Sequence, residues 1–279
     1  MSSFENYSHT SANYDQTREA VGLEAICGSL LCAGLDLQHS HLLDAGCGTG
    51  SYSKALLPYV ERMTGVDMNA GMLAQAKLKL AAEIGQGNMR LMQDDLTQLP
   101  LEAASVDGAM MNQVLHHLPD TRQQNWQLRR KLFAELARVI RPGGVFVLNS
   151  CTPGQLRQGW WFYSLIPKAL SRMCDRHLQR DEVIELLTEA GFEYRRCYVP
   201  VDAILQGRHY FDAHGPEHEN WRNGDSIWAD VSAQEMQTAQ QQLKDLHASG
   251  KIQAFIAGHD QLRLEVGQIS LYCAIRAGT

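Results

Sequence analysis

The sequence predicts an α/β fold: a doubly wound, mostly parallel sheet of seven strands, with an N-terminal helical segment and cap insertions after strands five and six. Up to about residue 150, short apolar runs alternate with longer segments whose apolar residues recur at helical spacing. Strands that alternate with helices form parallel βαβ units. The run at 106–112 is apolar, which is typical of a parallel strand buried on both faces. With 279 residues, of which 44% are hydrophobic, one large domain can bury a substantial core.

Each element follows from a local pattern. From Thr17 onward, apolar residues as far as Leu31 recur at helical spacing and predict a helix before the first strand. The sequence Arg-Pro-Gly-Gly at 141–144 ends a helix whose apolar face runs from 128 to 140. Ser232 and Glu235 form a capping box that opens a glutamine-rich helix. The predicted strands cover 41–43, 63–67, 89–92, 106–112, 145–148, 194–199 and 268–275; further helices cover about 52–60, 72–80, 181–190 and a segment after Gly250.

The turn after the first strand indicates a cofactor site. Glycines stand at 46, 48 and 50, and the second strand ends on Asp67. Glycines at a strand-to-helix turn allow close backbone approach to a ligand, and an acid at the end of the second strand can accept hydrogen bonds from ribose hydroxyls. The dinucleotide fingerprint has a different glycine spacing, and Asp44 before the turn would repel a pyrophosphate but attract a cationic ligand. An adenosine-containing cofactor with a positive charge fits both acids.

With these motifs, residues 40–150 resemble the class I S-adenosylmethionine-dependent methyltransferases, in the small-molecule branch that includes ubiquinone-pathway and sterol-type enzymes. The resemblance implies a Rossmann-like fold and S-adenosylmethionine as cofactor. It also implies the roles of individual residues. Asp44, Gly46 and Gly48 match the motif that contacts the methionine half of the cofactor. Asp67 matches the ribose-binding acid, and Met68 matches the residue beside the adenine. Asp95 and Leu96 match the loop that meets the adenine amine and ring, and Asn112 matches the start of the fourth motif at 112–118.

The resemblance also suggests an arrangement of the whole chain. It implies a single domain over 1–279, with an N-terminal helical cap at 1–38, a cofactor-binding core at 39–150 and substrate-cap insertions at 151–180 and 201–266. Many relatives place an N-terminal segment over the cofactor. Tyr14 and Arg18 stand at that position here, where Arg18 would pair with the methionine carboxylate and Tyr14 would contact the sulfonium side; the alternative is an exposed first helical turn.

Two histidines after the fourth strand are the candidate catalytic residues. Methyl transfer from a sulfonium is an in-line displacement that depends mainly on holding the two reactants in position. A base is needed only where the nucleophile carries a proton of high pKa. His117, and with slightly less weight His116, would act as that base or orient a substrate hydroxyl. The alternative is that both are packing residues at the edge of the site.

The insertions carry two further patterns, each with two interpretations. The aromatic run at 160–163 either roofs an apolar pocket or holds a cap helix to the body of the domain. Histidines and acids between 209 and 218 either hold a metal ion or belong to a flexible polar loop. Gly215 and Pro216 lie between His214 and His218 and break the helix that would bring both rings together, so no metal site is predicted.

Composition narrows the function. A net charge of −6 disfavours a nucleic-acid binder, so no nucleic-acid partner is expected. No stretch approaches the ~18 apolar residues of a membrane span, and the N-terminus lacks the apolar core of a signal sequence. The seven cysteines are scattered, which is typical of a reducing compartment. These three observations predict a cytoplasmic protein. We expect transfer of a methyl group from S-adenosylmethionine to a small molecule. The alternatives are a tRNA or protein methyltransferase, a non-catalytic cofactor-binding protein, or a nicotinamide oxidoreductase. The sequence leaves the acceptor and the oligomeric state open.

Overall fold

The computed structural model describes residues 20–278 and centres on one seven-stranded sheet. The strand order is β3-β2-β1-β4-β5-β7-β6. The first five strands pair in parallel, and β7 runs antiparallel to both β5 and β6. The predicted fold class, a mostly parallel doubly wound sheet, is therefore confirmed. The strands are β1 His41–Ala45, β2 Arg62–Asp67, β3 Met89–Gln93, β4 Val106–Asn112, β5 Ile140–Ser150, β6 Phe192–Tyr198 and β7 Ser270–Arg276.

Helices cover both faces of the sheet and build the cap beside it. Short 3-10 helices connect several of them. Among helices within residues 20–278, none has the length and apolar character that crossing a membrane requires. The α-helices are α1 Leu23–Cys32, α2 Ser51–Leu56, α3 Ala70–Lys79, α4 Ala81–Gln86, α5 Gln127–Val139, α6 Pro153–Gln158, α7 Pro167–Asp175, α8 Arg180–Glu189, α9 Glu219–Arg222, α10 Ala233–Ala248 and α11 Ile252–Val266.

Apolar side chains form a separate cluster on each face of the sheet. On one face, Phe133 of α5 and Leu187 of α8 pack on the central strands and are fully buried. On the other face, Ile26 and Leu30 of α1 do the same. Leu31, which the helical spacing placed on the apolar face of this helix, is 55% exposed. The short apolar strands are therefore buried on both sides, as parallel strands require.

Two predicted element boundaries were wrong for identifiable reasons, and one helix was not predicted. The helix after the glycine turn ends at Leu56 and continues as a 3-10 helix at Leu57–Tyr59, because Pro58 has no amide hydrogen to donate in an α-helical pattern. Helix α4 was missed. The sequence at 141–144 does not separate α5 from β5: β5 begins at Ile140, and the register shifts between Val106 and Gly108 of β4, so these residues form an irregularity inside the strand pair.

The cap is a third apolar cluster, built from both insertions. The four aromatic residues at 160–163 are all buried, which agrees with their role as packing residues. Two of them fasten the second insertion: the indole of Trp160 donates to Gln206 Oε1 at 2.9 Å, and that of Trp161 donates to the Tyr210 carbonyl at 2.6 Å. The stretch at 201–231 is therefore not a flexible loop. It contains several short helices, and Tyr210 and Ile227 are fully buried.

The capping box before α10 is only half formed. The Ser232 hydroxyl accepts a hydrogen bond from the Glu235 amide at 3.2 Å. The Glu235 carboxylate instead accepts from the amides of Lys168 (2.7 Å) and Ala169 (3.2 Å), in the first turn of α7. Glu235 thus caps a different helix and ties the two insertions together.

Candidate functional site

The glycine turn and Asp67 meet at the carboxyl edge of the sheet. Strands β1 and β2 are parallel, with Asp44 opposite Gly65 and Ala45 opposite Val66, so both strands end side by side. The Gly48 amide donates to Asp67 Oδ2 at 2.8 Å, and the Asn69 amide donates to Oδ1, also at 2.8 Å. Each carboxylate oxygen keeps a lone pair for a further donor. The sequence prediction that this turn and this acid form one site is consistent with the geometry.

Gly46 is required where the turn leaves β1. Its φ is +79°, a conformation that side-chain-bearing residues rarely adopt. A Cβ at this position would lie 2.3 Å from Cγ2 of Val114, which follows β4. At Gly48, with φ +53°, a Cβ would meet no atom of the described residues within 4 Å. The turn is therefore packed on one side and open on the other, as a backbone that approaches a ligand must be.

Asp44 lies in β1 beneath this turn and is 1% exposed. The Ser53 hydroxyl, in α2, donates to its Oδ2 at 2.6 Å. Burial raises the pKa of Asp44 to about 7; hydrogen bonds from Ser53 oppose the rise, and the nearby Asp67 adds to it. Burial also raises the pKa of Asp67, against the hydrogen bonds from Asn69 and Gly48 and the charge of His117. Two acids at this edge thus share a site in which a positive charge is favoured.

Asn112 ends β4 beside these residues. Within residues 20–278, neither polar atom of its side-chain amide has a hydrogen-bond partner, although both are buried. A buried amide without a hydrogen-bond partner is costly, so a ligand or a water molecule that pairs with it is favoured. A ligand with several polar groups fits this edge, because it can pair with the amide of Asn112, approach the open face of Gly48 and donate to the carboxylate of Asp67.

A chain of hydrogen bonds continues from the end of β4. Gln113 has φ +57°, a strained value for a residue other than glycine. Its side chain donates to Asn149 Oδ1 at 2.9 Å, and Asn149 donates to the Tyr52 hydroxyl at 3.2 Å. Tyr52 in turn donates to the Val21 carbonyl at 3.0 Å, and the Cys151 thiol donates to Gln113 Oε1 at 3.3 Å. This network fixes the ends of β4 and β5 relative to α2.

The two candidate catalytic histidines follow in a 3-10 helix at Leu115–His117. The rings of His116 and His117 are 4.0 Å apart, and His116 also stacks on His177 with centroids 4.9 Å apart. His177 is buried, and its Nδ1 donates to the Met173 carbonyl at 2.8 Å. Burial lowers the pKa of His177 to about 4, so this ring is neutral near pH 7. His117 lies near enough to Asp67 for its charge to lower the pKa of that acid.

Comparison with known proteins identifies the family. Residues 43–148 match the model of a methyltransferase domain. A Desulfitobacterium hafniense protein named demethylmenaquinone methyltransferase is 33% identical over 191 residues, which cover 60% of this chain and 72% of that protein. The chain belongs to the S-adenosylmethionine-dependent methyltransferases. A protein of Mycolicibacterium smegmatis, named a probable methyltransferase of this kind, is 33% identical over 163 residues, 58% of this chain and 53% of its own length.

A solved structure agrees with the fold of this chain. A crystal structure from Anabaena variabilis, named as a methyltransferase of an antibiotic biosynthesis pathway, superposes with a TM-score of 0.70 at 20% identity, covering 94% of this chain and 99% of that one. This likeness concerns the fold alone. The chain spans about half the length of the first curated relatives it matches, 53% to 55% of each.

The remaining predicted cofactor residues of the methyltransferase lie along the same edge or outside the described part. Met68, directly after Asp67, is 41% exposed. Asp95 is half-buried, and its Oδ1 accepts from the Thr97 amide at 2.8 Å, which shapes the loop that also carries Leu96. Tyr14 and Arg18 lie outside the described residues, so their roles stay predictions.

Sequence reasoning missed the group that holds the histidines of the methyltransferase in place. Arg129 of α5 is fully buried and pairs with Asp120. Its guanidinium also donates to the Leu115 carbonyl at 2.9 Å and to the Arg176 carbonyl at 2.8 Å, so it joins the turn of His116 and His117 to the loop of His177. No local pattern signals this arrangement, because the partners are far apart in sequence and two of them are backbone carbonyls.

Proposed function

We propose that the protein binds S-adenosylmethionine at the carboxyl edge of β1, β2 and β4 and transfers its methyl group to a small-molecule acceptor, releasing S-adenosylhomocysteine. The observation that carries the proposal is the placement of Asp67 directly against the glycine turn, with both oxygens held by backbone amides. The membership in the methyltransferase family supports the same cofactor.

The residues at this edge suit the polar groups of such a cofactor. Asp67 would accept the two ribose hydroxyls, because each of its oxygens keeps a lone pair and is fixed by an amide. Exposed Met68 would lie against the adenine, with Asp95 and Leu96 at its edge. The buried, unpaired amide of Asn112 would bond the amino-acid end of the cofactor.

Asp44 would respond to the cofactor through charge. It is buried, and its raised pKa of about 7 means that its charge is disfavoured without a compensating cation. A sulfonium and an ammonium group near the turn would favour the ionised form. The proposed role of Asp44 is therefore to provide a negative potential beneath Gly46 and Gly48, while Ser53 holds its carboxylate in place.

Bound S-adenosylmethionine supplies an activated methyl group, which a nucleophile displaces in line. The chain has to position that nucleophile and, where the acceptor is an acid of high pKa, remove its proton. His117 is proposed for this role, because it lies close to Asp67 at the cofactor edge. His116 is proposed to support it, held between His117 and the neutral ring of His177.

The acceptor itself is proposed only as a class. One relative is named for a quinone-type small molecule, which is compatible with an apolar acceptor here. Both insertions, 151–180 and 201–266, contribute to one apolar cluster that we propose shapes the acceptor pocket. We also propose a cytoplasmic location, which the seven free cysteines support.

The proposal is tested by acceptor-dependent formation of S-adenosylhomocysteine. The purified protein is incubated with methyl-labelled S-adenosylmethionine and a panel of quinols, phenols, carboxylic acids and amines. The proposal predicts labelled product with the wild type and a large loss with Asp67→Ala, whereas Asp181→Ala, at an exposed position of α8 outside both insertions, keeps full activity. Equal product formation by wild type and Asp67→Ala would contradict it.

A further inference from the structure

Three side chains of types that can bind a metal ion meet on the cap, in elements that contribute nothing to the glycine turn. They are His214, directly before the 3-10 helix Gly215–Glu217, Glu217 at the end of that helix, and His247 in the last turn of α10. One ligand atom from each lies within 4.8 Å of the other two. Glu217 lies between the rings: its Oε2 is 3.3 Å from His214 Nδ1, and its Oε1 is 3.6 Å from His247 Nε2.

The sequence pattern was considered for a metal ion only with the pair His214 and His218. Gly215 and Pro216 prevent His214 and His218 from sharing a helix face, and the structure agrees with that reasoning. They also make the 3-10 turn Gly215–Glu217, which places His214 and Glu217 on the same side. The second imidazole then comes from His247, a residue that local spacing along the chain does not connect to the turn.

The scaffold under these ligands is packed. Gly215 is buried, and a Cβ on it would lie 2.5 Å from the Trp221 ring, so the turn has no room to shift toward that ring. Ala213, next to His214, is buried in the same apolar cluster as Leu243 of α10. His247 Nε2 is 3.2 Å from the Ala213 carbonyl. Ala213 and Leu243 belong to one buried cluster, so apolar packing that does not involve the three ligand side chains also holds the turn to the helix.

We propose that His214, Glu217 and His247 form a binding site for a divalent transition-metal ion of the Zn²⁺ type. Two imidazoles and one carboxylate are a ligand set that zinc uses when a fourth position is left to water. Zinc–ligand bonds of roughly 2.0–2.2 Å place tetrahedral ligand atoms about 3.3–3.5 Å apart, and each imidazole nitrogen already lies near that distance from one of the two oxygens of Glu217. The bound ion would join the turn at 212–217 to α10 and so stabilise the cap.

Binding requires one local rearrangement. The two imidazole rings stack at 4.1 Å with 13° between their planes, and one ion cannot lie in both planes at that angle. The His214 side chain is 61% exposed and would be the one to rotate out of this stack, whereas the His247 side chain is only 22% exposed and would stay in place. The metal would also replace the contact of His247 Nε2 with the Ala213 carbonyl, so Nε2 must lose its proton to bind.

Calorimetric titration of the full chain with ZnCl₂ tests the site. Because the chain has seven free cysteines, which include exposed Cys32, every variant is made in a Cys32→Ser background and kept reduced. The proposal predicts one site whose affinity falls at least roughly tenfold in His214→Ala and in His247→Ala. His218→Ala removes an exposed histidine of the same segment and is the matched control, with unchanged affinity.

Two further measurements separate a built site from adventitious binding. Saturating Zn²⁺ raises the melting temperature of the parent and of His218→Ala, but not of His247→Ala, because the ion stabilises only a chain that holds it. Co²⁺ gives the visible absorption of a tetrahedral site with the parent and loses it with Glu217→Gln. Equal binding by the parent, His214→Ala and His247→Ala, or no binding by the parent, would overturn the proposal.

Discussion

Replacing Asp44 by asparagine is expected to remove a pH-dependent loss of stability. Burial raises the pKa of Asp44 from its ordinary 3.8 to about 7. The folded protein therefore keeps a proton in the window between these values that the unfolded chain has lost. Stability falls as the pH rises through this window, and the full loss is reached above about pH 7. Asparagine does not titrate, so the variant should lack this fall.

The size of the effect follows from the shift. A difference of about three pKa units, at about 1.4 kcal/mol per unit, corresponds to about 4 kcal/mol in total. Part of this is already lost at pH 5, so the wild type should lose about 2–3 kcal/mol more than Asp44→Asn between about pH 5 and pH 8. The lowered pKa of His177, about 4, acts in the opposite direction, since stability rises with pH from about 4 to 6.5. The wild type and Asp44→Asn both contain His177, so its contribution cancels when the two proteins are compared.

The assay is urea unfolding of the protein without cofactor at both pH values, with the free energy of unfolding extrapolated to water. For each pH, the free energy of unfolding of the wild type is subtracted from that of the variant. The value at pH 8 minus the value at pH 5 is the quantity that decides. Asp202→Asn makes the same chemical change at an exposed position and is the control. A difference between Asp44→Asn and wild type that is the same at both pH values would refute the reasoning.

Two other substitutions test the geometry of the site. Gly46→Ala should lower the free energy of unfolding by about 1–3 kcal/mol, because the residue has φ +79° and its new methyl would lie 2.3 Å from Val114. Urea unfolding measures this loss. Adding Val114→Ala should restore only part of it, since the backbone strain remains. His117→Ala should lower turnover by about 10²-fold or more without changing the affinity for S-adenosylhomocysteine, if it is the base; full activity would leave it as a packing residue.

The sequence placed those parts of the site that lie at the ends of parallel strands. The glycine turn, Asp67 and Asn112 follow β1, β2 and β4, which are neighbours in the sheet, and the parallel pairing brings their ends to one edge. Strand β4 was predicted with its observed limits, since its buried centre at 108–111 contains only glycine and apolar residues, as in a parallel strand covered on both faces.

The parts that escaped prediction depend on distant partners. The sequence pattern predicts a surface position for Arg129 on an amphipathic helix, yet the residue is fully buried. Asp120 and the carbonyls of Leu115 and Arg176 accept hydrogen bonds from its two terminal nitrogens. Glu235 fits a local capping box but caps α7 instead. The stretch at 201–231 is rich in His, Asp, Glu and Gly, so its composition predicted a loop. In the structure, the buried side chains of Tyr210 and Ile227 hold this stretch in a packed cap.

Calorimetric titration with S-adenosylhomocysteine tests the central claim most directly, with NADH as the control ligand. The account predicts one site for S-adenosylhomocysteine, no binding of NADH, and an affinity that is weaker by about 1–3 kcal/mol in Asp67→Ala, because two ribose hydroxyls lose their acceptor. Binding of NADH, or an unchanged affinity in a folded Asp67→Ala variant, would contradict the assignment of this edge of the sheet as the cofactor site.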